Sequence, residues 1–466
     1  MLASASCSRC DGGPSVVLAD AATPLASTVP ARAASKLPPL REVKSPHDAP
    51  VTRTLDGAAP RRAGPGRHRV ARFVHMSDLH VVDDESPARV TSLDDDASLR
   101  SALRPQEGLQ CRVVNAAART VRRLHEDAPF DFVVLSGDVI DDAQENELAW
   151  LVRLMDGGEV ACDSGAPDDP MPGPDNDGKD PFVAVGTGAP WYLAAGNHDL
   201  LVQGNFPTGP MERASAIGPK AAGGTRDYRK PGAPSVEGMV IADPRRNLVD
   251  RASFVSLAGS AHVPGPYAEA HHKTFFTVDV PGSPVRLVAL DTAAETGGAL
   301  GLVRQEDVDA FVLPELARAR SEGKWLVFVA HHATDALGDG RASAHVPQPG
   351  AVSGAAWASL LTSSPNAIAS LAGHAHQHRV RRIGTSPHAL WEIETSSLAD
   401  APGQLRVVEI WDEDNGFGTI RSTVFDYATD DDPLAAKAHA MMLADRGWGG
   451  EGQPEDRNVV LWFKKP

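Results

Sequence analysis

From residue 70 onward, apolar runs of strand length alternate with segments of helical period. The run RFVHM at 72–76 predicts a short strand that ends at Ser77-Asp78. Over 111–126, Val113, Val114, Ala117, Val121 and Leu124 recur at helical spacing, which predicts a helix. Residues 130–135 and 191–195 read as buried strands, and 145–155 has helical character. Further strands are predicted at 275–280, 285–290, 325–330, 368–372, 389–395, 405–411 and 419–425, with a helix over 304–320. The stretch from Asp430 is helical at first, then polar and Gly-rich. Helices interleave with strands early and strands cluster late, a pattern that fits an α/β fold of two mixed sheets packed face to face and flanked by helices.

The pattern fails in three places. Residues 1–69 are rich in Ala, Pro, Ser, Gly and Arg without any period, so they read as a disordered tail. Residues 156–181 and 204–266 read as long surface inserts, and much of the 42 Gly and 37 Pro falls in these regions. The resulting division is a tail over 1–69, a folded domain over 70–430 with its two inserts, and a C-terminal extension over 431–466.

The formal charge of −16 argues against nucleic acid as a partner, since a phosphate backbone repels such a surface. No run of 18 apolar residues occurs, so no transmembrane helix is expected. The nearest approach to an export signal, 16–29, is interrupted by Asp20 and Pro24, and Arg61-Arg62 is followed by Gly-Pro-Gly. The default expectation is a cytoplasmic protein, with export open if the start is truncated. Cys7, Cys10, Cys111 and Cys162 do not make a disulfide framework in a chain this long, and Cys7-x-x-Cys10 reads as incidental. Oligomeric state is not legible.

Five short polar motifs follow apolar runs: Asp78-Leu-His80, Gly137-Asp138, Gly196-Asn-His-Asp199, His331-His332 and Gly373-His-Ala-His376. Strand ends are where such a scaffold puts its chemistry. On an extended segment, residues i and i+2 point the same way, so Asp78 with His80 and His374 with His376 are expected to converge. The ligand types are imidazole, carboxylate and amide without thiolate, which suits Zn, Fe or Mn, and they are too many for one ion. They suit two divalent cations sharing Asp138, roughly 3.5–4 Å apart. Alone, each motif would be an ordinary turn or core polar group; the conjunction of five in this order is what carries the reading.

That series, D-x-H, G-D, G-N-H-D, H and G-H-x-H, resembles the calcineurin-like metallophosphoesterases over about 70–427. The resemblance implies a four-layer sandwich fold and a dinuclear centre. Asp78, His80, Asp138 and His376 would hold the first metal, and Asp138, Asn197, His331 and His374 the second. His198 would be the catalytic histidine that protonates the leaving oxygen, with Asp199 orienting it. The reaction implied is attack of a metal-bridging hydroxide on a phosphate ester.

Departures from subfamily patterns narrow the substrate. Asp141 stands where purple acid phosphatases place a tyrosine, and the chain lacks the GDxxDRG and GNHE motifs of the Ser/Thr protein phosphatases. What remains is similar to phosphodiesterases of cyclic-nucleotide or glycerophosphodiester type, with a broad phosphomonoesterase as the alternative and a non-catalytic scaffold third. The phrases Ser86-Pro-Ala-Arg89 and 391–395 (WEIET) resemble an actinobacterial subgroup with long inserts. Arg89 is a candidate for a substrate phosphate or a solvated loop residue, His332 for the cleft wall or a strand contact, and His378 for the rim. Glu392 and Asp291 are candidates for hydrogen bonding to a ligand histidine.

Overall fold

Alternation within the apolar strands explains how two sheets are sandwiched. In the strand Trp325–Val329, Val327 and Val329 enter one core cluster while Leu326 and Phe328 enter another; in Val285–Ala289, Leu287 and Ala289 part from Val288 in the same way. Successive side chains on a strand face opposite sides, so this sheet is buried on both. The computed structural model describes residues 49–58, 60–89, 104–167, 169–226, 235–294, 296–338, 348–385, 388–445 and 449–466.

The six-stranded sheet runs Phe276–Asp279, Val285–Ala289, Trp325–Val329, Ala367–Ala372, His388–Glu394, Arg379–Thr385. Its four middle strands are parallel. The seven-stranded sheet runs Val51–Thr54, Val459–Lys464, Phe417–Asp426, Gln404–Asp412, His68–Met76, Phe132–Leu135, Trp191–Leu193. Here His68–Met76, Phe132–Leu135 and Trp191–Leu193 are parallel, and the Phe73 and Phe132 rings stack at 4.8 Å across the first pair. The larger core cluster joins both sheets with the helices Gln110–Asp127 and Glu145–Asp156, through Val113, Val121, Leu124, Leu148 and Leu151. The smaller one seats Leu313–Glu322 and Gly354–Thr362 on the outer face of the six-stranded sheet. Helix, sheet, sheet and helix thus stack as the alternation predicts.

The outer limits differ from those expected. Val51–Thr54 pairs in parallel with Val459–Lys464, so part of the expected tail and the end of the expected extension belong to one sheet edge. The apolar run VVLWF at 459–463 drives this pairing; it is short and follows a Gly-rich stretch that hides it. Residues 1–48, with Cys7 and Cys10, lie outside the described residues. The expected single helix over 304–320 is interrupted by a wide turn at Val308–Val312 just before Pro314, whose ring displaces the carbonyl behind it.

Neither insert is a bare loop. The first contains the strand Gly158–Val160, which pairs with Phe182–Ala184 just beyond its end. The second contains the helices Pro210–Ala216 and Arg251–Ala258 and the paired strands Lys220–Arg226 and Ser235–Met239. Cys111 and Cys162, for which no pairing was expected from the sequence, form a single disulfide that ties the first insert to the helix Gln110–Asp127. Two cysteines 51 positions apart give no sequence signal of pairing. Among the described residues, no helix is long and apolar enough to cross a membrane.

Candidate metal centre

The five motifs converge at the C-terminal ends of parallel strands. The loop after His68–Met76 lies along the loop after Phe132–Leu135, with Asp78 N donating to Gly137 O and His80 N to Asp138 O, both at 3.0 Å. Ser397 Oγ donates to Asp78 O at 2.7 Å and closes the other side. Gly373 must be glycine, because a β-carbon there would overlap Ser77 Oγ and the Asp78 carboxylate.

The backbone reaches convergence by a route other than strand alternation. Asp78, His80, Asp138, His374 and His376 have φ of 53°, 44°, 49°, 68° and 52°. These are left-handed residues, not extended ones, so the i, i+2 argument does not apply; Asp78 and His80 share one cluster, whereas His374 and His376 fall in two. Such conformations cost of order 1–3 kcal/mol each and persist only where the surroundings over-determine them.

Asp78, His80, Asp138 and His376 place one ligand atom each within 4.8 Å of one another, and all four are buried. His376 Nε2 lies 3.0 Å from Asp78 Oδ1 and 3.3 Å from His80 Nε2. His331 Nε2 lies 3.0 Å from Asp138 Oδ2, and His374 stands beside it with ring centroids 5.1 Å apart. Asn197 donates from Nδ2 to Gly204 O at 3.0 Å, while its Oδ1 is buried without a hydrogen-bond partner. His331 donates from Nδ1 to Ser136 O at 2.8 Å, which turns its Nε2 toward Asp138 Oδ2. An orphaned amide oxygen in a nest of imidazole and carboxylate is what a cation would satisfy.

The electrostatics are those of tightly opposed charges. Burial resists ionisation of Asp78, but His376 and His331 outweigh it and bring the carboxyl to about 2. Burial likewise resists protonation of His331 and His376, yet Asp138 and Asp78 raise the first to about 9, and Asp78 with Asp400 raises the second to about 10. His80 falls to about 4 through burial and Arg104, and His374 to about 3 through burial and His331.

Sequence reasoning missed the groups that aim the imidazoles. Asp141 Oδ1 accepts from His80 Nδ1 at 2.7 Å, and Asp400 Oδ2 accepts from His376 Nδ1 at 2.6 Å. These partners fix which ring nitrogen faces the centre. Asp141, three residues after Asp138, was visible as a departure from a tyrosine; nothing local marks Asp400.

Several expected roles are corrected. Asp199 does not orient His198: its carboxylate accepts from Val139 N, Ile140 N and Gly196 N, holding the loop backbone. The Asp141 carbonyl does that work, accepting from His198 Nδ1 at 2.8 Å. Arg89 is neither solvated nor turned to substrate; it is fully buried and paired with Asp141, Glu107 and Asp142. His378 is not at a rim but buried against Ser396 and Gln404. His332 has both nitrogens engaged, accepting from Thr292 Oγ1 at 2.8 Å and donating to Ala299 O at 3.1 Å, while one of them stands within 4.8 Å of a ring nitrogen of both His331 and His374. Glu392 accepts from Thr334 N, and Asp291 pairs with Arg251, so neither touches a candidate ligand.

Comparison with known proteins yields a family but no near relative. No curated protein matches the chain. A dimetal phosphatase from Danio rerio is similar at 12% identity, covering 78% of this chain and 100% of that one, with a TM-score of 0.43. The purple acid phosphatase PPD1 from yellow lupin seeds is similar at 14% identity over 78% of this chain and 53% of its own, TM-score 0.36. The sulfate thiohydrolase SoxB from Thermus thermophilus, in complex with glycerol, is similar at 12% identity over 81% and 60%, TM-score 0.33. These likenesses are too distant to bear on substrate. The family model described as calcineurin-like phosphoesterase matches residues 71–378, which contain every motif of the centre, and the chain belongs to that family.

Proposed function

We propose that the chain hydrolyses small phosphodiesters at a dinuclear centre. Asp78, His80, Asp138 and His376 would hold one cation, and Asp138, Asn197, His331 and His374 the other. The observation that carries this reading is the buried Asn197 Oδ1, which has no hydrogen-bond partner, beside the clustered imidazoles and carboxylates of the other candidate ligands. The donor set suits Mn, Fe or Zn. Bound cations of this kind supply Lewis-acid charge for the phosphoryl oxygens and lower the pKa of water.

The protein's own part in the reaction follows from His198. Its Nδ1 is committed to the Asp141 carbonyl, which leaves Nε2 to hold a proton for the departing oxygen. Its backbone N donates to Asp138 Oδ1 at 2.8 Å, fixing the ring's origin relative to the shared carboxylate.

The fate of Arg89 and Arg104 favours a diester. Both spend their charge on buried carboxylates, Asp141, Asp142 and Glu107 for the one and Asp141 and Asp400 for the other. A diester carries one negative charge fewer than a monoester dianion and so asks for less positive charge from the site. The Cys111–Cys162 disulfide supports a place of work outside the reducing cytosol.

The test is turnover of the metal-stripped protein reloaded with Mn, Fe or Zn, on bis-nitrophenyl phosphate, nitrophenyl phosphate and cyclic nucleotides. Higher kcat/KM on the diesters is expected. Faster hydrolysis of the monoester with every metal would reject the diester reading.

A further inference from the structure

Arg104 lies between the two carboxylates that aim His80 and His376. Its Nη1 donates to Asp141 Oδ1 at 3.2 Å, and its Nε and Nη2 donate to Asp400 Oδ1 and Oδ2 at 3.0 and 3.2 Å. Asp141 Oδ1 is the same atom that accepts from His80 Nδ1, and Asp400 Oδ2 the same that accepts from His376 Nδ1. One guanidinium thus closes a chain from imidazole to imidazole, whose far nitrogens meet 3.3 Å apart. Arg104, Asp141, Asp400, His80 and His376 are all buried.

The segment that carries Arg104 is itself stitched to the loops of the centre. Gln106 Nε2 donates to Ala399 O and Gln110 Nε2 to Leu79 O, both at 2.6 Å. Glu107 accepts from the backbone N of Arg104 at 3.0 Å and from Arg89 at 2.7 Å. Arg89 in turn reaches Asp141.

We propose that Arg104 is a positioning residue for the metal centre, holding Asp141 and Asp400, and through them His80 and His376, in the one arrangement where both Nε2 atoms address the same cation. The role rests on the dinuclear reading above. A planar fork suits it, since three nitrogens reach two carboxylates along fixed directions, which a lysine ammonium cannot reproduce.

Charge and geometry make opposite predictions. A buried positive charge beside the site repels a cation, so on charge alone removing Arg104 tightens metal binding. If Arg104 positions the ligands, removing it weakens binding, by about 10- to 100-fold as for other groups behind metal-bound histidines. Arg104→Lys separates these effects, because it keeps the charge and loses the fork while leaving the buried ionic network balanced.

The experiment titrates the metal-free full chain with Zn²⁺ by calorimetry and with Co²⁺ by visible absorption, for the wild type, Arg104→Lys and Arg104→Met. The wild type is expected to take two ions. Both variants are expected to bind one of them about 10- to 100-fold more weakly, with an altered Co²⁺ spectrum, and the other as before. Should Arg104→Met not fold, Arg104→Lys decides alone. Wild-type affinity and spectrum in Arg104→Lys, or tighter binding in Arg104→Met, overturns the positioning role while leaving the dinuclear reading intact. A wild type that binds fewer than two ions overturns both.

Discussion

Gly204 packs against the ring of His198 so closely that a β-carbon would overlap Cδ2 and Nε2 of the imidazole and Nδ2 of Asn197. Its φ of +65° is one that L side chains rarely adopt, and its carbonyl holds the Asn197 amide at 3.0 Å. The backbone of the second insert therefore forms the wall at the nitrogen that would serve the leaving oxygen. Gly204→Ala should reduce kcat by at least about 10-fold and cost about 1 kcal/mol of stability through the left-handed backbone. Steady-state turnover and a melting curve check both; unchanged kcat would mean the wall stands further from the ring.

His198→Ala should retain the bound metals, since His198 is not among the seven candidate ligands, and should lose about 10²- to 10⁴-fold in rate. The loss should be smaller for nitrophenyl than for alkyl esters, because a good leaving group needs less help from a proton. Metal content by elemental analysis and kcat for the two ester types measure this. An equal loss on both would argue against proton donation from Nε2.

The Cys111–Cys162 bridge closes a loop of 51 residues, which in the chain-entropy model is worth about 4 kcal/mol. Reduction, or Cys111→Ser with Cys162→Ser, should lower Tm by about 4 °C for a chain of this size. Thiol alkylation and mass spectrometry report whether the bond is present; equal Tm with and without reductant would show that the first insert is held without it.

His439, buried in the helix Pro433–Ala444, is kept uncharged: burial lowers it to about 4, against a small upward pull from the Pro402 carbonyl. The unfolded chain protonates this group near 6.5. Between these values the unfolded state binds a proton that the folded state does not, so stability is full above about 6.5 and is lost as pH falls toward 4. The loss reaches about 3 kcal/mol at pH 4. His439→Phe should flatten the slope of unfolding free energy by up to one proton across that window. An unchanged slope in denaturant titrations would place the proton uptake elsewhere.

The sequence exposes the parts of the site that lie next to buried strands. A run such as FVVL before Gly137-Asp138 announces both the strand and the turn that ends it, because burial leaves little choice of residue. The partners of those residues are silent for a physical reason. Arg89, Arg104, Asp141 and Asp400 acquire meaning only when four separate segments meet, and a buried ion network has no period along the chain. Asp199 shows the converse hazard: adjacency to His198 suggests a contact, but its side chain turns toward backbone N–H groups instead. The sheet edge formed by Val51–Thr54 and Val459–Lys464 was hidden because a lone short strand needs a partner to be recognisable.

The left-handed backbone at Asp78, His80, Asp138, His374 and His376 bears on how ions would come and go. The strain is carried by interlocked loops, by the Ser397 hydroxyl and by the absence of a β-carbon at Gly373. These contacts run from protein to protein, so the chain's own residues shape the cradle, and the metal found in it would follow whichever suitable ion its surroundings supply.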